Sequence, residues 1–252
     1  METENRTIFE VKDLSIGYGS RVVMERLNFT VRKGEIFVIC GGSGCGKSTL
    51  LKHLFGLYTP ISGDILFKGK SLVNAGEEEK AEMLKDMGVM FQGGALFGSD
   101  TLLENVMLPM QEYTDFSPEL MERSARYKLA LFNLSGFEHF LPSEISGGMK
   151  KRAALSRAMA LDPEVLFFDE PSAGLDPRSS ATLDDTILQL NASLGTTIII
   201  VTHELDSIFK VAQRVLFLDV DKKTMTALDS PEKLREDKSN ETVWNFFNRT
   251  PF

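Results

Sequence analysis

The 252-residue chain is predicted to be an α/β protein with three parts: a core of mainly parallel sheet, an N-terminal antiparallel β subdomain and an inserted α-helical subdomain. Three observations lead there. The apolar run Ile36-Phe37-Val38-Ile39-Cys40 passes into Gly41-Gly42-Ser43-Gly44-Cys45-Gly46-Lys47-Ser48-Thr49 and then into Leu50-Leu51-Lys52-His53-Leu54-Phe55, which reads as strand, phosphate loop and helix. Two further runs, Val165-Leu166-Phe167-Phe168 and Thr197-Ile198-Ile199-Ile200-Val201, read as strands buried on both faces, the habit of parallel sheets. Residues ahead of the loop instead alternate apolar and polar, as in Ile8-Phe9-Glu10-Val11 and Leu27-Asn28-Phe29-Thr30-Val31, which suits an antiparallel sheet with one wet face.

Composition bounds what surrounds this core. The length suffices for one full core or a domain with sub-lobes. Lys+Arg of 28 against Asp+Glu of 36 gives a net charge of −8, so no nucleic-acid partner is expected. No apolar run approaches the roughly 18 residues that span a bilayer, and Met1 to Glu10 lacks the basic-then-apolar plan of a signal peptide. A cytosolic chain is expected. Cys40 and Cys45 have no neighbouring His or Cys to complete a metal site and read as small residues that fit.

In chain order, turn signals fall at Gly17-Tyr18-Gly19 and Lys33-Gly34, and Tyr18 is either a strand-end aromatic packed on the core or a ring stacked on a nucleotide base. The loop glycines allow successive backbone N–H groups to face one concavity that binds anionic oxygens. The helix starting near Lys47 aims its positive dipole end there, Lys47 would reach the β and γ phosphates, and the Ser48 hydroxyl would ligate Mg²⁺. After Pro60 comes a short β segment, Gly63 to Gly69, then an acidic helix from Glu77 with a solvated face. Val89-Met90-Phe91-Gln92 reads as a strand ending at Gln92. Thr101 to Phe140 is helical in pattern, with Ser117-Pro118-Glu119 as N-cap, first-turn proline and first-turn acid.

Glu144-Ile145-Ser146-Gly147-Gly148-Met149 precedes an apolar helical face of Ala153, Ala154, Ala158 and Leu161. Its glycines leave N–H donors free for an anion, while Lys150, Lys151 and Arg152 oppose the helix dipole until a phosphate relieves them. Val165 to Phe168 ends at Asp169-Glu170, where a parallel sheet places ligands; Asp169 is positioned for the Mg²⁺ shell and Glu170 to polarise attacking water. Asp176-Pro177 starts a helix carrying Leu183, Ile187 and Leu190. The strand ending at Thr202-His203 brings a histidine within reach of the γ phosphate.

Together the phosphate loop, Gln92, Ser146-Gly147-Gly148, Asp169-Glu170, Ala173-Gly174-Leu175-Asp176 and His203 resemble, in order and rough spacing, the Walker A, Q-loop, signature, Walker B, D-loop and H-loop of an ABC-transporter ATPase. The resemblance implies a P-loop NTPase core of RecA-like type. It also implies Tyr18 on adenine, Ser48, Gln92 and Asp169 around Mg²⁺, and Lys47, Glu170 and His203 as catalytic residues. It further implies a head-to-tail dimer in which ATP lies between residues 41–49 of one copy and Ser146-Gly147-Gly148 of the other. Met149 departs from the common glutamine, yet the phosphate donors are Ser146 and the glycine amides, so activity is expected to survive. Phe91-Gln92-Gly93-Gly94-Ala95-Leu96-Phe97, Leu141 to Met149 and Arg152 to Ala158 are similar to Mla-type ATPases of MCE lipid transporters. That similarity implies transmembrane permease subunits, an MCE-domain lipid-binding protein and a place on the inner face of the cytoplasmic membrane.

Three other readings differ in testable ways. They are an ATPase for another solute such as an amino acid, a DNA-acting ABC ATPase, and a non-hydrolysing scaffold. Between Ser48 and Ser146 no sustained heptads occur, which opposes the second, and Lys47, Glu170 and His203 oppose the third. Residues 1–240 read as the ATPase domain, with the helical subdomain at about 95–160 and a tail at 241–252. In the tail, Asn240 can cap a helix with Val243, Phe246 and Phe247 on one face, while Trp244 and Phe252 add apolar area. So short a helix must dock, either on its own subunit or across to the second copy.

Overall fold

The computed structural model describes residues 7–19 and 21–249. Its first strands, β1 (Thr7–Tyr18) and β2 (Arg21–Arg32), pair antiparallel, with irregularities that let Ile8 and Phe9 both be buried where strict alternation would expose one. Next come β3 (Ile36–Gly41), buried throughout, and α1 (Lys47–Leu54). Strands β4 (Ser62–Phe67) and β5 (Lys70–Ser71) form a hairpin through Lys68 and Gly69, both at positive φ, so the expected segment to Gly69 stops two residues early. Together β2, β1, β4 and β5 make a four-stranded sheet in that order.

After α2 (Glu77–Lys85), β6 (Met87–Met90) pairs with the later strand β7 (Val165–Asp169) as far as Met90 opposite Phe168. Phe91 then turns, its carbonyl accepting from the Gly94 N–H, which leaves Gln92 in a loop rather than at the end of a strand. The stretch expected to be helical from Thr101 to Phe140 holds two helices, α3 (Leu102–Tyr113) and α4 (Pro118–Leu131), and α5 (Gly147–Ala158) completes the lobe. Ser117 caps α4 by accepting from the Leu120 N–H. Beyond Leu131 the chain leaves the helix through Asn133 at positive φ, so residues 133–140 are turn, not helix. Leu102, Val106, Met110, Ala125, Leu129 and Ala153 form the buried seam of this lobe. Leu161 lies past the end of α5 and is only half-buried.

The remaining elements are β7 (Val165–Asp169), α6 (Pro177–Leu194), β8 (Thr197–Val201), α7 (Leu205–Val211), β9 (Arg214–Asp219), β10 (Thr224–Asp229), α8 (Pro231–Glu236) and α9 (Glu241–Asn248). The second sheet runs β10-β9-β3-β8-β7-β6, parallel except for β10. Parallel pairing brings the carboxyl ends of β3, β8, β7 and β6 to one edge, and those ends carry the phosphate loop, His203, Asp169-Glu170 and Gln92. Among the described residues no helix is long and apolar enough to cross a membrane.

The tail helix docks on its own chain. Asn240 accepts from the Val243 N–H, and Val243 and Phe247 are buried in the cluster that includes Val211, Phe217 and Leu234. Trp244 is half-buried and Phe252 lies outside the described residues.

Candidate functional site

The phosphate loop owes its path to glycines at two positions in particular. Gly41 has φ 145°, and a Cβ there would sit 2.3 Å from the Leu218 carbonyl oxygen; Gly46 has φ 97°, and its Cβ would meet Val23 Cγ1 at 2.6 Å. Gly46 is also the N-cap of α1 and supplies no side-chain acceptor, so the first-turn N–H groups are not spent on a cap. Lys47 is buried, its ammonium donating to the carbonyls of Gly41 at 3.1 Å and Gly42 at 3.0 Å. The ammonium therefore hangs over the loop and can trade carbonyls for phosphate oxygens. Cys45 points inward, and burial pushes its thiol up, as it does for Cys40, so neither adds negative charge beside the loop.

Walker-type chemistry gathers around this loop. The Ser48 hydroxyl donates to Asp169 Oδ1 at 2.6 Å, joining the start of α1 to the end of β7. Glu170 follows at φ 47°, a left-handed conformation that is strained for a non-glycine residue, and its N–H donates to the Val201 carbonyl. One carboxylate oxygen, Oε1, accepts from His203 Nδ1 at 2.9 Å, which fixes the imidazole with its proton on Nδ1. The other, Oε2, is buried and has no protein partner. A carboxylate held on one oxygen with the second left over is arranged to accept a proton from water.

A cleft of about 720 Å³ is lined by Tyr18, residues 41–44, 46–49, Gln92, Glu170 and His203. Thus Lys47, Ser48, Thr49, Gln92, Glu170 and His203 converge on one space with Tyr18 at its rim. Tyr18 is half exposed, its hydroxyl is 3.0 Å from Thr49 Oγ1, and its ring meets Tyr58 edge-on at 5.7 Å. That geometry shows a ring on the cleft, not one sunk in the core. Cys45 does not line the cleft, and its N–H is taken by the Gly42 carbonyl. Asp169 lies behind the lining and reaches it through Ser48.

The signature residues are elsewhere. Ser146, Gly147 and Gly148 line a separate cleft with Asp176 and Ser179. Ser146 N-caps α5 by accepting from the Met149 N–H at 3.3 Å. Of the three cations expected to oppose the α5 dipole, two are engaged within the chain: Lys151 is buried and donates to the Gln92 carbonyl, and Arg152 donates to the carbonyls of Phe132 and Asn133. Burial lowers the Lys151 pKa, opposed by the charges of Asp169 and Glu170.

Other residues escaped the sequence reading. Asn105, fully buried, accepts from the Phe97 N–H and donates to the carbonyls of Phe97, Asp100 and Thr101, which holds the loop after Gln92. Phe246 of α9, expected only on the apolar face of the tail helix, also lines the cleft of the phosphate loop, packed 5.2 Å from Phe217, and Arg249 donates to Asp206 at 2.8 Å. Both depend on long-range packing, so no local motif announces them.

Comparison with known proteins places this geometry. The family model "ABC transporter" matches residues 24–173. The ATP-binding protein MlaF of the intermembrane phospholipid transport system of Haemophilus influenzae is 41% identical over 208 residues, 82% of this chain and 79% of that protein. The probable ribonucleotide transport ATP-binding protein mkl of Mycobacterium tuberculosis is 42% identical over 197 residues, 78% of this chain and 55% of its own length. Among solved structures, the dimeric post-hydrolysis state of the ATP-binding cassette MJ0796 bound to ADP and Pi superposes with TM-score 0.79 and 26% identity, covering 88% of this chain and 98% of the other.

Proposed function

From the premise that this chain belongs to the ABC transporter family, we propose that it is the ATP-hydrolysing, Mla-type subunit of a transporter whose cargo is phospholipid moved between membranes. The observation that carries hydrolysis, rather than nucleotide binding alone, is Glu170, with one oxygen on His203 and the other buried without a partner beside the phosphate loop. The similarity to MlaF carries the Mla type and supports the cargo.

In this reading residues 41–49 hold the phosphates through backbone N–H groups and Lys47 supplies the countercharge. Tyr18 takes the adenine. The residues present also suit Mg²⁺: a hydroxyl from Ser48, a carboxylate from Asp169 and the amide of Gln92 are hard oxygen donors, few in number. Mg²⁺ binds through one or two carboxylates plus phosphates and water rather than through an all-protein cage, and no cage of three or more His, Cys, Asp or Glu exists among the described residues. When bound, Mg²⁺ neutralises charge on the phosphates. Glu170 polarises the attacking water and takes its proton, and His203 keeps the carboxylate aimed.

The signature cleft lies apart from the phosphate loop within one chain, which supports a head-to-tail pair in which a second copy brings Ser146, Gly147 and Gly148 to the nucleotide. The similarity to a cassette that is dimeric with ADP and Pi bound supports the pairing itself. Residues 1–240 act as the ATPase domain, with residues about 95–160 as its helical lobe and 241–252 as its tail. Permease subunits hold the pair at the inner face of the cytoplasmic membrane, together with an MCE-domain lipid-binding protein.

Purifying the tagged chain in detergent tests the assignment. Co-purification of a multi-span permease, an MCE-domain protein and bound phospholipid is expected; a periplasmic solute-binding system in their place refutes the lipid reading. The similarity to mkl favours a ribonucleotide as the second reading of the cargo, and ribonucleotide held by the co-purified permease or its binding protein in place of lipid, apart from the ATP on this chain, selects it.

A further inference from the structure

Helix α5 holds the loop after β6 through Lys151, Ala154 and Arg157, a row spaced three residues apart that winds about a third of the way round the helix. Lys151 donates to the Gln92 carbonyl, Arg157 Nη2 donates to the Gly94 carbonyl at 2.9 Å, and Arg157 Nη1 to the Ala95 carbonyl at 2.8 Å. Between them Gly94, at φ 77°, packs so close that a Cβ would lie 3.3 Å from Ala154 Cβ. The row thus grips residues 92–95 by three carbonyls and one van der Waals contact.

Lys151 is the unusual member. An ammonium near a helix N-terminus opposes the dipole, and a buried one gives up hydration; this one bears both costs at 8% exposure. Among the described residues, the Gln92 carbonyl and the neighbouring charges of Asp169 and Glu170 offset them. A glutamine or methionine would fill the same space without either cost, so the charge is there for what it holds. Lys151 also lines the signature cleft with Ser146, Gly147 and Gly148, so one side chain spans the surface offered to the second copy and the loop serving this copy's own nucleotide.

We infer that Lys151 is a positioning residue: it fixes the Gln92 backbone to the signature helix, so that engagement of α5 at one nucleotide sets the placement of the Gln92 side chain at the other. This rests on the ATPase reading above. Lys151 itself touches neither nucleotide in this account; it acts through Gln92.

The test compares Lys151→Met, which keeps the stem and removes the ammonium, with Lys151→Arg, which keeps the charge, both in the full-length chain. For Lys151→Met the expected results are kcat for ATP lowered about tenfold with KM changed less than about twofold, a melting temperature equal to or above wild type, and faster amide exchange across residues 92–97. Lys151→Arg should recover most of kcat and the exchange protection. Wild-type kcat and exchange in Lys151→Met would overturn the inference. So would a rise in KM at unchanged kcat, or a shared fall in melting temperature and rate in both variants, which would mark a purely structural residue. The exchange measurement needs no turnover. An inactive wild-type chain would therefore refute hydrolysis, while exchange still decides the role of Lys151.

Discussion

Replacing Phe247 by Ala tests whether the tail helix belongs to its own subunit. The ring is 3% exposed and meets Phe209 edge-on at 6.0 Å and Phe246 at 5.3 Å, inside the cluster that also holds Val211, Leu234 and Val243. Truncating a buried Phe to Ala costs about 3–5 kcal/mol, the spread depending on how far the site collapses. Here α9 is the last described helix, tied beyond its apolar face by contacts such as Asn240 to the Thr226 carbonyl, Asn248 to the Arg235 carbonyl and Arg249 to Asp206. It can shift inward, which places the loss near the lower end, about 3 kcal/mol. In a chain of 252 residues, each kcal/mol moves the melting temperature by about 2–4 °C, so a fall of about 6–12 °C is expected. Scanning calorimetry of the nucleotide-free chain reads it directly, with light scattering after ATP addition to follow pairing. A melting temperature within about 1 °C of wild type, accompanied by loss of the ATP-bound dimer, would refute docking on the same chain and would place the helix on the second copy.

Two further substitutions probe the site and its supports. Lys47→Ala removes the ammonium from above the loop, and since hydrogen bonds to charged groups contribute about 1.5–3 kcal/mol, ATP affinity by titration calorimetry should fall roughly 10- to 100-fold; unchanged affinity would count against the phosphate-loop assignment. Asp184, buried between α6 and α7, accepts from Ser207 Oγ at 2.8 and 3.0 Å, and burial raises its pKa despite that bond. A raised carboxyl pKa contributes stability that is fully present below the unfolded value, about 3.9, and is lost as pH rises through the folded one. Asp184→Asn keeps an acceptor for Ser207 without the charge, so it should melt at or above wild type at pH 7 and lose that advantage toward about pH 4; a variant less stable at pH 7 would contradict this.

Local chemistry made the central strand, the phosphate loop and the acid pair legible in the sequence. Ile36 to Thr49 and Val165 to Glu170 carry their strand, turn and site residues within one short stretch, so their reading needs no distant partner. The four-residue β6 was legible as a strand but two residues out of place at both ends: pairing with β7 begins at Met87, Met90 is its last position, and Phe91 turns on a bond to Gly94. The destinations of Lys151, Arg152 and Arg157 were hidden, since each cation lies on one helix and its carbonyl acceptors on a loop at least 19 residues away. Asn105 was hidden for a related reason: its side chain replaces backbone pairing for a loop whose irregular path no periodicity encodes. The tail offered an amphipathic pattern that fits either docking, and only the packing of Val243 and Phe247 against this chain's own core chooses between them.

Hydrolysis through Glu170 is the centre of the account, and steady-state phosphate release by Glu170→Gln, run beside nucleotide binding and sizing of the same sample, tests it most directly. A neutral amide keeps the shape and the contact to His203 but polarises water poorly, so release should slow roughly 10²-fold or more, with ATP affinity retained and an ATP-bound dimer accumulating. Wild-type phosphate release by that variant would remove Glu170 from the mechanism.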